Sequence, residues 1–335
     1  MKNYLCFAGI DVSKSKLDVT FMTQPSKKKQ QHFVVSNDSK GIQQILSLLK
    51  KANIDVQNAL FSFEDTGVYS LPLCFFLSQK QLDYWMIPAI EIKRSKGISR
   101  GKTDKADSKD IAFYSCTHLH KLRAGSIPEK EIMQLKLLFT EREKVLKALH
   151  LIESTMEASG FIPKEILQPV KKINAAGIRS LEKMLAQLEV KMKEIISTCE
   201  LIKQQEKLIC SIPGVGPHTA LYLIIATKSF KAFENSRQLA CYAGVAPFEY
   251  SSGSSIKGRT KVNHLADKKM KSLLYMCAMN AKKCDKELSE YYNRKVEEGK
   301  PKMLVLNNIS CKILGRVFAV INRETPFVNM QKFAA

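Results

Sequence analysis

The sequence is short of acidic residues and has no long apolar run. Asp and Glu number 32 against 53 Lys and Arg in 335 residues, which gives a formal net charge of +21. This imbalance predicts polyanionic partners, of which nucleic acid is the commonest. No stretch approaches the ~20 apolar residues of a spanning helix. The N-terminus carries one lysine before a strand-like run, so neither a membrane partner nor a signal peptide is expected.

Clustered cysteine ligands are also missing. The nine cysteines are odd in number and scattered, and none forms a Cys-x-x-Cys pair. Zinc sites need clustered ligands, so we interpret these thiols as reduced core residues of a cytosolic protein. His118 and His120 form a pair without a third ligand nearby, and surface histidines are the preferred interpretation.

The first 125 residues alternate between strand and helix patterns. Strands are predicted over residues 4–13, 17–22, 32–35, 59–64 and 83–87, with helices from about residue 39 and over 71–79. This alternation predicts an α/β layered domain. Two of the strands end in a carboxylate, Asp11 and Glu64, and ligands of open sheets gather beyond the carboxyl ends of the strands. Gly9 leaves room for another group to approach the backbone closely.

A basic segment over residues 91–110 leads into a helix start that carries two acids. Its seven cations include Lys102, and Thr103 can cap the helix. Asp104 and Asp107, spaced i and i+3, share one helical face. By themselves they fit a charge-balanced helix start. With the two strand-end carboxylates they make the oxygen-rich set that hard divalent ions require, and four acids suit a two-metal phosphoryl-transfer site.

Residues 128–203 keep a heptad-like apolar spacing. The spaced residues are Leu135, Leu138, Val145, Leu149, Ile152 and Met156, and then Leu181, Leu185, Leu188, Met192, Ile195, Cys199 and Ile202. Sustained 3.5-residue periodicity predicts coiled-coil helices, with a break near Gly160. An antiparallel hairpin within one chain and self-association through the same seam are both open.

The last third of the chain combines a glycine turn with a serine-rich segment. Residues 208–226 predict helix, turn, helix, because Gly214 and Gly216 permit a tight turn and expose amides that bind phosphate. A plain helix connection is the alternative. Further on, the four serines around Gly253 stand just before three cations, Lys257, Arg259 and Lys261. Hydroxyl nucleophiles would thus lie beside phosphate-binding groups, although linker composition alone gives a similar pattern.

Five motifs in this order resemble the DEDD transposases of bacterial insertion sequences. They are Gly9–Lys14, Glu64–Tyr69, Lys102–Asp107, Ile212–Gly216, and Ala243–Pro247 leading to Ser252-Gly253. The resemblance runs from about residue 5 to 325. It implies a ribonuclease-H-like (RuvC-like) catalytic domain over residues 1–125 and coiled-coil helices over 126–205. A mostly α-helical, serine-bearing domain with an element similar to a helix-hairpin-helix is implied over 206–330.

The resemblance also implies a function. Asp11, Glu64, Asp104 and Asp107 would bind Mg²⁺, expected as two ions, and Ser252 would be a nucleophile that joins covalently to DNA. Nucleic-acid contacts are assigned to Lys102, Gly214, Gly216, Lys257, Arg259 and Lys261. The implied partners are donor and target DNA, a structured noncoding guide RNA, and further copies of the chain in a dimer or tetramer. The expected location is the bacterial cytoplasm, at the nucleoid.

Three other functions compete with a DNA recombinase. An actin-like sugar kinase or ATPase also opens with a Gly-Ile-Asp strand, but its phosphate loop needs glycine and threonine where this chain has Ser13-Lys14-Ser15. A RuvC-like junction nuclease would use the acids without serine chemistry. A catalytically silent DNA-binding protein is disfavoured by the four-acid set.

Overall fold

A computed structural model describes residues 2–23, 30–95, 103–157, 161–246, 248–252, 256–261 and 266–329, and for 248–252 and 256–261 it describes the backbone. The chain divides into two compact units, residues 1–127 and 128–335. The three-domain division predicted above stays a prediction.

The first unit is built on a five-stranded mixed sheet. Its strands are β1 Cys6–Val12, β2 Lys16–Met22, β3 Gln31–Ser36, β4 Ala59–Glu64 and β5 Tyr84–Ile87. They lie in the order β3-β2-β1-β4-β5. The first three are antiparallel to one another, and β4 and β5 run parallel to β1. All of β1 except Asp11 is buried, as expected for an apolar strand covered on both faces. The α/β prediction is confirmed.

Four helices accompany this sheet: α1 Ser39–Lys51, α2 Leu71–Gln79, α3 Ala89–Ser95 and α4 Asp104–Thr117. The apolar stripe of α1 is buried, because its residues recur at the 3–4 spacing of one helical face. Thr103 caps α4, and its side chain accepts a hydrogen bond from the Ala106 amide at 3.2 Å. The predicted start of the acidic helix is therefore confirmed.

Gly9 decides how closely α4 packs on β1. A Cβ atom at this position would lie 2.3 Å from both the Ala112 amide nitrogen and the Ser108 carbonyl oxygen. The Ser108 hydroxyl also shares a buried 2.8 Å hydrogen bond with the Thr20 hydroxyl on β2. The close backbone approach predicted at Gly9 is confirmed, and its partner is the helix that begins with Asp104.

We expect Gly9→Ala to destabilise the first unit by roughly 3 kcal/mol, because the added methyl group meets backbone atoms that cannot rotate away. Urea unfolding followed by the fluorescence of Trp85, the single tryptophan and 3% exposed, measures this unit. Gly177→Ala is the control, since its Cβ would meet nothing within 4 Å. An unchanged midpoint for Gly9→Ala would show that α4 does not pack on β1 in this way.

The second unit begins with a long helical hairpin. α5 spans Lys130–Glu157 and α6 spans Lys164–Thr198. The guanidinium of Arg142 contacts Glu189 at 2.9 Å, which joins the two helices within one chain. Along the α6 seam Leu185 is half-buried and Met192 is buried. The alternative of an intrachain hairpin is therefore confirmed.

The remainder of this unit is mostly helical. It comprises α7 Glu200–Cys210, α8 Pro217–Thr227, α9 Ser236–Tyr242, β6 Phe248–Ser252, β7 Ile256–Lys261, α10 Lys268–Cys284, α11 Lys286–Glu297 and α12 Lys302–Arg323. The sequence analysis expected no stretch that approaches a spanning helix, but of the helices in the described parts of the chain α12 is long and apolar enough to cross a membrane by length and composition. Nine of its residues are buried, eight of them in the hydrophobic core of this unit, so its apolar character is that of a core helix.

Candidate functional site

Three elements of the first unit bring the four predicted acids to one edge of the sheet. In the parallel pairing of β1 with β4, Ile10 lies opposite Phe63. Asp11 and Glu64 therefore follow at the same level, at the carboxyl ends of neighbouring strands. The first turn of α4, which packs on β1 at Gly9, carries Asp104 and Asp107.

Burial and the neighbouring acids together shift the pKa of Asp11. Burial has the largest effect, and with the charges of Asp107, Asp104, Glu64 and Asp18, in that order of size, it raises the pKa of the Asp11 carboxyl to about 6. Like charges at short range disfavour the ionised form. The protein has thus collected negative charge at one point, and a cation would relieve the repulsion.

The sequence analysis missed one acid, Asp18. It pairs with Asp11 across the β1–β2 hairpin and is 4% exposed. Its carboxylate lies 3.0 Å from Nε2 of His32 and 3.1 Å from Nζ of Lys16. Nζ of Lys16 also lies 2.7 Å from a carboxylate oxygen of Asp104. Two features of the sequence could have indicated Asp18. It is an acid within a strand of apolar residues, and the short turn between the two strands places it opposite Asp11.

The set fits a hard divalent cation by its chemistry. Five carboxylates lie at this edge together with Lys16, and carboxylate oxygens are the donors that such ions prefer. Within the described ranges, however, no three acidic, histidine or cysteine side chains are arranged to hold a metal ion. Metal binding therefore requires the carboxylates to close around the ion, and Lys16 to share Asp104 with it.

Asp65 lies next to Glu64 in the sequence but has a separate role. Its exposed side chain accepts a hydrogen bond from the Gly67 amide at 2.9 Å, which is a turn contact of the type that aspartate commonly makes. Its charge is not among the four that raise the pKa of Asp11 most. Of the two adjacent acids, Glu64 is the one that belongs to the cluster.

The predicted serine lies in the second unit, at the end of a strand. β6 and β7 form an antiparallel hairpin in which Ser252 is opposite Ile256 and Ser251 is opposite Lys257. The sequence analysis did not predict these strands. Arg259 and Lys261 lie on β7. The side chains of both strands lie outside the described part of the structure, as do residues 253–255 and Lys102.

The glycine turn joins α7 to α8 as predicted, and its two glycines differ. Gly214 has φ of +86°, and a Cβ there would lie 2.6 Å from the Ala281 amide nitrogen on α10. Gly216 is exposed, and a Cβ there would meet nothing within 4 Å. It is the N-cap of α8 and makes no side-chain cap. Packing and conformation explain Gly214, and phosphate binding by the turn stays a prediction.

We expect Gly214→Ala to lower the free energy of unfolding by roughly 3 kcal/mol, because it combines a left-handed backbone with a collision against α10. Gly216→Ala should change it by less than about 0.5 kcal/mol. Urea unfolding of both variants followed by circular dichroism compares them directly. Equal midpoints for the two variants would contradict the packing of Gly214 on α10.

Two family models match the chain. One, described as a transposase and built on the DEDD transposases of the IS110 type, matches residues 8–153, which contain the four acids. The other, described as the transposase IS116/IS110/IS902 family, matches residues 206–293, which contain the glycine turn and the serine hairpin.

The relatives agree with these matches. The chain is 25% identical to the pilin gene-inverting protein of Moraxella bovis over 325 residues, covering 96% of this chain and 97% of the relative. The pilin gene-inverting protein of Moraxella lacunata matches with the same identity and coverage. An insertion element IS110 uncharacterized 43.6 kDa protein of Streptomyces coelicolor is 29% identical over 118 residues, 35% of this chain and 29% of that protein.

The acid edge and the two matched regions define an enzyme that acts on DNA. The two family models and these relatives together support an IS110-family transposase.

Proposed function

We propose that this transposase cuts and rejoins DNA strands by Mg²⁺-dependent phosphoryl transfer, with Ser252 forming a covalent DNA intermediate and a structured noncoding RNA guiding the choice of DNA sites. The observation that carries the proposal is the convergence of carboxylates around Asp11, whose pKa they help to raise to about 6. The name of the Moraxella relatives, pilin gene-inverting protein, favours rearrangement of DNA over simple hydrolysis.

The proposed fold of the first unit is ribonuclease-H-like, of the RuvC type. Three features support it: the strand order β3-β2-β1-β4-β5, the antiparallel hairpins before the parallel strands, and acids at the ends of β1 and β4. Within the second unit, we propose that the α5–α6 hairpin is a coiled-coil linker and that α7 and α8 act as a helix-hairpin-helix-like element.

Membership of a DEDD transposase family implies dependence on a divalent metal. We propose two Mg²⁺ ions, which Asp11, Glu64, Asp104 and Asp107 would hold. Bound there, the ions would polarise the scissile phosphate and neutralise charge on the attacking and leaving oxygens. Lys16 limits the repulsion among the acids through its contacts with Asp104 and Asp18, and His32 holds the Asp18 side chain in place.

In the proposed reaction the hydroxyl oxygen of Ser252 attacks phosphorus and releases its proton. One DNA oxygen leaves with a proton, and a serine phosphodiester replaces the broken bond. A DNA hydroxyl then reverses the exchange at a new partner strand, so rejoining needs no energy source. Lys257, Arg259 and Lys261, on the strand that faces Ser252, would offset charge on the phosphate.

We further propose that the protein acts as a homo-oligomer, a dimer or tetramer, in the cytoplasm at the nucleoid. Large apolar side chains near the bend of the α5–α6 hairpin are exposed and support self-association. Phe161 is 94% exposed, Ile166 68% and Ile173 73%. The acids lie in one unit and the serine in the other, so the reaction has to combine groups from both, within one chain or between copies.

Reconstitution tests the proposed function. The protein is mixed with the flanking noncoding RNA of its element and with donor and target DNA, with Mg²⁺ present or withheld. Joined DNA is expected only when RNA, both DNAs and metal are all present. Cutting without rejoining or a covalent adduct would favour the junction nuclease, and ATP turnover without DNA would favour the kinase.

A further inference from the structure

A groove of about 410 Å³ opens on the surface of the second unit between α10, α11 and α12. Its floor includes Tyr275, Met279 and Met303, and the Tyr275 hydroxyl lies 2.9 Å from the Met303 sulfur. Met279 is 39% exposed and Met303 57%. An aromatic ring beside two thioethers is a polarizable, mainly apolar surface suited to the face of a planar ring. Both thioethers are therefore accessible to a ligand that enters the groove.

Three lysines surround this apolar floor. They are Lys282, Lys283 and Lys302, and no acidic residue is among the described residues that line the groove. Nζ of Lys282 lies 3.8 Å from the centre of the Tyr292 ring, so a cation–π contact holds one ammonium group at the groove. A ligand that fits this groove therefore combines an apolar face with groups that are compatible with nearby positive charge.

The third lysine stands where a helix already carries positive charge. Lys302 is the first residue of α12, whose N-cap is Pro301, with no side-chain cap and no acid in the first turn. The N-terminal end of a helix dipole repels cations and attracts anions. A lysine at this end strengthens the attraction for anions. It also lowers the stability of the helix, and a bound phosphate would offset that loss.

We propose that this groove binds one unpaired nucleotide of a nucleic acid strand, a role that rests on the proposed function of handling DNA and a structured RNA. The base would lie on Tyr275, Met279 and Met303, and the lysines would contact the adjoining phosphates. The occupant has to be single-stranded, because bases in a duplex are stacked and do not present their faces to side chains.

Fluorescence anisotropy of the full-length protein without metal tests the proposal, with labelled single-stranded DNA, single-stranded RNA and a duplex of the same sequence. Stacking on one aromatic contributes about 1–3 kcal/mol, so Tyr275→Ala should weaken single-strand binding about 5- to 150-fold and leave the duplex nearly unchanged. Tyr275→Phe keeps the ring and should bind as the wild type does. A loss with one strand type alone identifies whether DNA or RNA occupies the groove.

The lysines are tested by salt dependence. Lys283→Gln and Lys302→Gln should each reduce the slope of log affinity against log salt by about 0.7, the value expected for one single-strand phosphate. Lys144→Gln, on α5 and 64% exposed, is the matched control. Circular dichroism checks the fold of every variant, and photocrosslinking of 5-iodouracil strands should label a groove residue. Crosslinks only elsewhere would overturn the proposal.

Failure of this proposal and failure of the proposed function are distinguishable. If Tyr275→Ala binds single strands as the wild type does while the wild type still forms joined DNA, the groove assignment is wrong. If single-strand binding depends on Tyr275 but no joined DNA forms with all components present, the proposed function is wrong and the groove assignment stands. Capture of an acidic peptide that single strands cannot displace would also refute the nucleotide site.

Discussion

Asp11→Asn is expected to abolish cutting and rejoining of DNA, with a loss of rate on the order of a thousandfold or more. Asp11 lies at the centre of the acid cluster, and metal stabilisation of transition-state charge contributes several kcal/mol. The measurement is joined product per unit time in the reconstituted reaction with Mg²⁺. The variant should still bind DNA, because the substitution changes no lysine or arginine.

The same substitution should stabilise the metal-free protein at neutral pH. The pKa of Asp11 is raised to about 6 from an unfolded value of about 3.9, so the folded state favours the protonated form. The metal-free wild type therefore loses stability as pH rises from about 4 through 6, and the penalty is complete above that range. Because Asp11 is only half-buried, we expect a gain of ~1 kcal/mol for Asp11→Asn at pH 8 and none at pH 4.

Thermal unfolding with and without Mg²⁺ separates a metal site from a structural carboxylate. Metal should raise the melting temperature of the wild type and have a smaller effect on Asp11→Asn, because binding to the native state adds stability. Asp65→Asn is the control. The side-chain oxygen of the asparagine can still accept the hydrogen bond from the Gly67 backbone N–H, and the carboxylate that is removed is not among the four that raise the pKa of Asp11 most. An equal response to Mg²⁺ in wild type and Asp11→Asn would rule out metal binding by Asp11.

Ser252→Ala is expected to eliminate the covalent protein–DNA adduct and with it all rejoined product. No other group in the proposed reaction supplies the attacking oxygen, so the loss should be at least a thousandfold, on the scale of removing an enzyme nucleophile. The adduct is measured by denaturing gel electrophoresis of labelled DNA after quenching. DNA affinity should remain within a factor of about two, because only a hydroxyl is removed.

Ser251→Ala provides the matched control for the nucleophile. Ser251 and Ser252 are neighbours on β6, opposite Lys257 and Ile256 of β7. Because Ser252 is the proposed nucleophile, Ser251→Ala should leave the yield of the adduct unchanged. An adduct of normal yield in Ser252→Ala together with its loss in Ser251→Ala would move the nucleophile to the neighbouring serine.

The sequence alone was sufficient for features that depend on local pattern. Continuous apolar runs predicted the buried strands, and Thr103 followed by Asp104 and Asp107 predicted a capped helix start. Both predictions succeed because side-chain periodicity and capping are properties of short segments. The ends of β1 and β4 and the start of α4 followed directly. The seam of α6 followed as far as Ile195, since a heptad repeat specifies one face of a helix. The predicted continuation through Cys199 to Ile202 was wrong for a single helix, because α6 ends at Thr198 and Ile202 lies on α7.

Features that depend on distant segments needed the tertiary structure. The register of the β1–β2 hairpin places Asp18 in the cluster. The β6–β7 hairpin lies in a serine-rich, polar stretch whose local pattern does not predict strands. Gly214 needed α10 to explain it, because a close contact with Ala281 leaves no trace in the local sequence. The sequence determined which residues could carry the chemistry. The packing of α4 on Gly9 decided which acids meet, since a contact between residues 100 positions apart depends on the whole sheet.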